Sequence, residues 1–180
     1  MKTVDPSGLY ARTRRVGVAF SLLLVGCGSA SSTPITGCPE HAGPTLIMGT
    51  GANAFEPITD GMRLRMATGI QGGCHFWVSV RTDGFAPTGF EIRYEIFDAL
   101  SGQSTGSTFA REVQLTPAVD APGQCEYVGY TAFIRSPSAI YDTRVRIDVD
   151  VKDSHGRTAA ASHEVVADWP QDNAALCMSL

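Results

Sequence analysis

The chain has 180 residues, 43% of them hydrophobic and 18% charged, with 19 glycines, 10 prolines, 5 cysteines and a formal net charge of -4. This is the make-up of one compact domain with attached segments, and it excludes a wholly disordered chain. No heptad or Gly-X-Y period supports a coiled coil or a collagen-like rod.

Residues 1–26 have the layout of an export signal: Arg12, Arg14 and Arg15 precede the apolar run Val16–Val25, and Gly26 and Cys27 follow. As a helix the run rises only about 15 Å, half of a hydrocarbon core about 30 Å thick, so it suits a translocon better than a permanent span. At all four positions Leu24-Val25-Gly26-Cys27 resembles the lipobox of bacterial lipoproteins, a large apolar residue and two small or modest ones before a cysteine. The resemblance implies cleavage before Cys27, a diacylglyceryl group on its thiol, and anchoring by two or three acyl chains at about 0.8 kcal/mol per buried CH2. Gly28 stands where an Asp would imply inner-membrane retention in many Gram-negative bacteria, so the resemblance implies the outer membrane.

The mature chain would keep 154 residues and a charge near -7, with Lys152 as its one lysine, which disfavours nucleic acid as a partner. Four cysteines remain unlipidated: Cys38, Cys74, Cys125 and Cys177. In an oxidising compartment they read as two disulfides, for which three connectivities exist. Cys38 and Cys177 flank the domain, while Cys74 and Cys125 each precede an apolar run, so the expected pairs are Cys38 with Cys177 and Cys74 with Cys125. No C-x2-C spacing supports zinc.

Residues 27–44 are small, polar and Pro-containing, and read as a tether. From residue 45 to 168 the apolar period is close to two. Cys74, Phe76, Val78 and Val80 alternate with His75, Trp77, Ser79 and Arg81; Phe90, Ile92, Tyr94 and Ile96 alternate with polar residues; Val145, Ile147, Val149 and Val151 alternate with Arg146, Asp148 and Asp150. Such strands have one buried face and one wet face. Weaker candidates are Leu46–Met48, Met62–Met66, Phe109–Leu115, Tyr127–Ile134 and Ala159–Val166. Turn pairs such as Asp60-Gly61, Gly72-Gly73, Asp83-Gly84, Ser136-Pro137 and His155-Gly156 punctuate the runs, and no ten-residue amphipathic helix interrupts them. Seven or eight short strands predict an antiparallel β-sandwich, with a barrel as the alternative and residues 169–180 as a tail.

The segment Val145–Ala159, a V-x-V-x-V-x-D-x-x-G run, resembles the closing hairpin of bacterial immunoglobulin-like, PKD-like and fibronectin III-like modules. That resemblance implies an immunoglobulin-like sandwich and no particular function.

Motifs with chemistry are few. Gly102-Gln103-Ser104-Thr105-Gly106 spells a nucleophile elbow, but a strand-like run follows where a helix is required, and a flexible loop fits better. Gly49-Thr50-Gly51-Ala52-Asn53-Ala54 spells a dinucleotide fingerprint, yet Pro57 blocks the helix, so a bend at a sheet edge is expected. Asp148, Asp150 and Asp153 offer oxygen ligands for calcium, though Asp148 and Asp150 sit about 7 Å apart on a strand and Asp153 suits a turn. His41, His155 and His163 lie in separate segments. The most unusual string is Gly72–Trp77, which puts His75, Trp77 and Arg81 on one strand face behind a flexible entry. That face suits a ligand or partner, unless Trp77 covers the core from the second side or lies under a loop and His75 caps the strand.

The expected protein is therefore membrane-anchored through lipid and non-enzymatic, with no cofactor and no metal. It would bind an envelope protein or polymer, or act as a spacer. The alternative is an accessory domain that binds a ligand or calcium through its loops.

Overall fold

A computed structural model describes residues 37–69, 72–170 and 177. The export signal, the lipobox and Cys27 lie outside the described residues. Eleven strands and one helical turn follow in order: β1 (Thr45–Thr50), β2 (Glu56–Pro57), β3 (Arg63–Arg65), β4 (Ala67–Thr68), β5 (Cys74–Asp83), β6 (Phe90–Asp98), β7 (Ser104–Val113), β8 (Thr116–Pro117), β9 (Cys125–Ile134), α1 (Pro137–Ile140), β10 (Arg144–Lys152) and β11 (Thr158–Asp168). Seven of the strands have six or more residues, and the other four have two or three. Pro137 opens α1, where its missing N–H is not needed.

The strands form two sheets. In the first the order is β2-β1-β5-β9-β8, with β4 also on β5; in the second it is β3-β11-β10-β6-β7. All pairs are antiparallel except β3 with β11, which is parallel. The chain is thus an all-β, immunoglobulin-like sandwich, and the barrel alternative falls. Phe76, Val78 and Val80 of β5, Phe90, Ile92, Tyr94 and Ile96 of β6, and the four valine and isoleucine positions of β10 fill the space between the sheets. Each such side chain contributes about 1.5 to 3 kcal/mol when buried.

Two features position the functional region. A bulge interrupts the β5–β9 ladder, with Val78 opposite Tyr130 and Val80 opposite Tyr127, so Ser79 faces two residues, Val128 and Gly129. Gly129 has φ +76, and a Cβ there would collide with the Ala52 carbonyl; the glycine lets loop 51–54 sit on the sheet. Ser79 fills the gap by accepting from the Gly129 N–H at 3.1 Å and donating to the Gly51 carbonyl at 3.3 Å. The second feature is the approach of β7 to β9, where a Cβ on Gly106 would collide with the Phe133 carbonyl and the Arg135 N–H reaches the Thr105 carbonyl at 2.8 Å. The expected loop at Ser104–Gly106 is therefore the start of β7, with Gly102 in the turn before it.

The disulfides are Cys38–Cys125 and Cys74–Cys177, with Cα–Cα distances of 5.6 and 5.1 Å. This corrects the expected pairing. Cys74 and Cys125 both begin strands, but β5 and β9 run in opposite directions, so Cys74 lies opposite Ile134 and Cys125 opposite Thr82. Eight residues of strand, about 27 Å, separate them.

Residues 38–41, read above as part of the tether, are joined to the sandwich. Cys38 carries its bridge, Glu40 pairs with Gly84, and the His41 N–H reaches the Gly84 carbonyl at 3.2 Å. Of the tail, Trp169 stacks on Tyr141 at 4.7 Å and Cys177 is buried against Cys74. No helix among the described residues is long and apolar enough to cross a membrane.

Candidate functional site

The outer face of β5 is not the wet surface that its alternation predicts. His75, Ser79 and Arg81 are all buried: β4 and β9 flank His75, and loop 51–54 after β1 lies over Ser79. The two ends of this face differ.

At the Cys74 end, His75 stands directly opposite Phe133 and Trp77 opposite Thr131, giving a two-by-two patch across β5 and β9. Thr68 of β4 and the glycines Gly69 and Gly72 form a lip on the other side, and the open hollow has a volume of about 340 Å³. The His75 ring meets the edge of Trp77 at 4.6 Å and lies 6.5 Å from Phe133. Phe133 is 54% exposed, a large apolar side chain left to solvent, whereas His75 is only 5% exposed. Burial pushes the His75 imidazole below its ordinary pKa and keeps it neutral at pH 7. Its Nε2 is buried without a hydrogen-bond partner. The Tyr94 hydroxyl shares that condition, but it lies deep between the sheets, whereas His75 borders a hollow.

At the Cys125 end the polar groups are paired. Arg81 donates from Nε and Nη2 to Glu126 at 3.1 and 2.7 Å and from Nη2 to Asp120 at 2.6 Å, and its guanidinium stacks on Phe55 at 4.2 Å. Arg81 therefore belongs to a structural ion cluster, away from His75 and Trp77. The sequence reading placed the three together because they share a face, but the hollow takes in only the first two. It missed Phe133 and Thr131, whose only sequence signal is their alternation with Ala132 and Ile134.

The remaining motifs lie apart. Phe55 lies over Gly49, and β2 follows the turn, so the dinucleotide-like string is a bend at a sheet edge. Asp148 accepts from Arg146 at 3.0 Å and from Ser162 at 2.6 Å. Asp153 accepts from the Ala86 and His155 N–H groups and from Arg157 Nε at 2.6 Å. Burial pushes the Asp153 carboxyl up, but the hydrogen bonds from the Ala86 N–H and from the side chain and N–H of Arg157, with the Arg157 charge, outweigh it and hold the pKa below the usual range. Among the described residues no three His, Cys, Asp or Glu side chains converge as a metal site.

Two histidines that the sequence separates, His41 and His155, are linked through Arg157 and Glu40. His155 Nδ1 and Arg157 Nη2 lie 3.1 and 2.9 Å from Glu40, Arg157 Nη1 donates to the His41 carbonyl at 3.4 Å, and His41 Nε2 lies 2.9 Å from Asp83. The hydrogen bonds to the Ala42 carbonyl and to Asp83 raise the pKa of His41. His163 is separate, 3.0 Å from Asp60.

No family model and no curated protein matches the chain. Among solved structures, CopC from Methylosinus trichosporium OB3b is similar at 16% identity, with a TM-score of 0.31 over 64% of this chain and 87% of that chain. Murine CRIg is similar at 9% identity, with a TM-score of 0.30 over 71% of this chain and 98% of that chain. At these scores neither likeness bears on the site, and the architecture rests on the strand pairing itself.

Proposed function

We propose that the chain is an exported, lipid-anchored envelope protein, sorted to the outer membrane, whose sandwich acts by binding and not by catalysis. The carrying observation is the pair of disulfides, which close 87 and 103 residues of chain and belong to proteins that fold in oxidising compartments. Coupled to the basic flank, apolar run and Cys27 at the front, they support export followed by lipid attachment. Binding is favoured over catalysis because the hollow on β5 and β9 is lined by aromatic rings, hydroxyls and glycine. His75 is the sole titratable side chain in that lining among the described residues, so no second group stands ready to exchange a proton with it. The partner is an envelope protein or polymer.

The anchor is tested by growing cells with labelled palmitate. Label is expected in the wild type and absent from Cys27→Ala, and equal labelling of the two would overturn the anchor.

A further inference from the structure

We propose that the hollow between Trp77 and Phe133 binds a neutral saccharide, whose apolar ring face lies on the aromatic side chains while its hydroxyls bond to His75, Trp77 and Thr131. This rests on the binding-module reading above and gives it a ligand class.

The first argument is the mixture of surfaces. A sugar ring has C–H faces and a rim of hydroxyls, and it needs flat apolar area beside isolated polar atoms. The patch supplies both: the rings of Trp77 and Phe133 stand on neighbouring strands two residues apart in register, on the diagonal of a square that Thr131 and His75 complete. Second, polar capacity is left over. His75 Nε2 is buried without a partner, and among the described residues neither the Trp77 indole N–H nor the Thr131 hydroxyl makes a hydrogen bond. A buried polar atom left so costs stability, so the fold holds His75 beside the hollow at a cost. Third, among the described residues the lining has no charged side chain, and its one ionisable group is held neutral, so neither an anion nor a cation finds a counter-charge there.

Other occupants fit less well. A quaternary ammonium would use the ring faces but has no hydrogen bond to give or accept. An acyl chain would leave His75 as it is. An extended peptide would need a free strand edge, and at this end β5 is flanked by β4 and β9.

The test uses the full-length chain, expressed with its own leader and extracted in detergent. Chitohexaose and maltohexaose serve as neutral probes of different linkage, tetramethylammonium chloride serves as the cationic probe, and binding is read by calorimetry and by Trp77 fluorescence in a Trp169→Phe background. At least one hexasaccharide should saturate and shift the emission. Trp77→Ala should weaken that binding about tenfold or more. His75→Phe should weaken it about fivefold while the protein becomes more resistant to urea, a pair of opposite signs that a merely structural histidine would not give. Thr131→Val, which keeps the volume, should weaken it about threefold, and Arg111→Ala on β7 should leave it unchanged. Lack of saturation by both hexasaccharides, binding that survives Trp77→Ala, or stronger binding of tetramethylammonium would overturn the assignment. Palmitate incorporation is measured on the same preparation. Labelled protein without a saccharide response removes the ligand class and leaves the anchored module standing, and a saccharide response in unlabelled protein does the reverse.

Discussion

The two ends of the outer face of β5 are built from similar materials and are left in opposite conditions. Each end has a disulfide cysteine, at Cys74 or Cys125, an aromatic ring, at Trp77 or Phe55, and a buried nitrogen base, His75 or Arg81. At the Arg81 end the base meets two carboxylates and lies under a ring, so its burial is compensated. At the His75 end the base meets Trp77 edge to face and a tilted Phe133, and its Nε2 has no partner. Burial alone therefore does not mark a site. His75 is set apart because it also lines the open hollow, which Arg81 does not.

The largest expected effect comes from opening either staple. Replacing both members of Cys38–Cys125 or of Cys74–Cys177 by alanine should cost about 2 to 5 kcal/mol of unfolding free energy in urea. Only the second pair, whose Cys74 precedes His75 and whose Cys177 sulfur lies 3.7 Å from the Thr68 hydroxyl at the lip, should also disturb the hollow. Arg81→Ala should cost about 2 to 3 kcal/mol, because it leaves Glu126, whose side chain is 14% exposed, without its counter-charge. At the other end the sign reverses. His75→Phe removes the unpartnered nitrogen, keeps the packing, and should stabilise the fold by about 1 kcal/mol in the same urea titration.

The smallest effect is a pH dependence, which separates His75 from His41. The pKa of His75 is lowered by burial, so below its ordinary value near 6.5 the unfolded chain takes up the proton first and stability falls with pH. His75→Phe lacks that loss, and its advantage over wild type should widen as pH drops from about 7 to 5. His41 behaves oppositely. Its pKa is raised, by the Ala42 carbonyl and then Asp83, so its contribution is fully present below 6.5 and is lost as pH rises through the raised value. Urea midpoints of His41→Gln should converge on wild type at higher pH.

How much of this was legible depends on where the alternation survives. In β6 as far as Ile96, and throughout β10, every second residue is buried, and these strands read plainly from sequence. In β9 the bulge at Gly129 resets the pattern, so that Tyr127 and Tyr130, three residues apart, both pack against the core, and the run looks weak. That bulge also fixes which residues of β9 face His75 and Trp77, so Phe133 and Thr131 could not be placed from sequence. The parallel pairing of β3 with β11 has no local signal either. The disulfides were counted correctly and paired wrongly, since cysteines that begin antiparallel neighbours lie at opposite ends of the sheet. His75 and Trp77 stood out because aromatic rings occupied a face expected to be polar, whereas Arg81 could not be told from a ligand contact before Asp120 and Glu126 were located.

The most direct measurement is non-reducing mass spectrometry of protein taken from the membrane fraction, intact and then as proteolytic peptides. The expected result is a chain that starts at acylated Cys27, with the Cys38 peptide linked to that of Cys125 and the Cys74 peptide linked to that of Cys177. A chain that retains Met1 to Gly26 and carries four alkylatable thiols would contradict it.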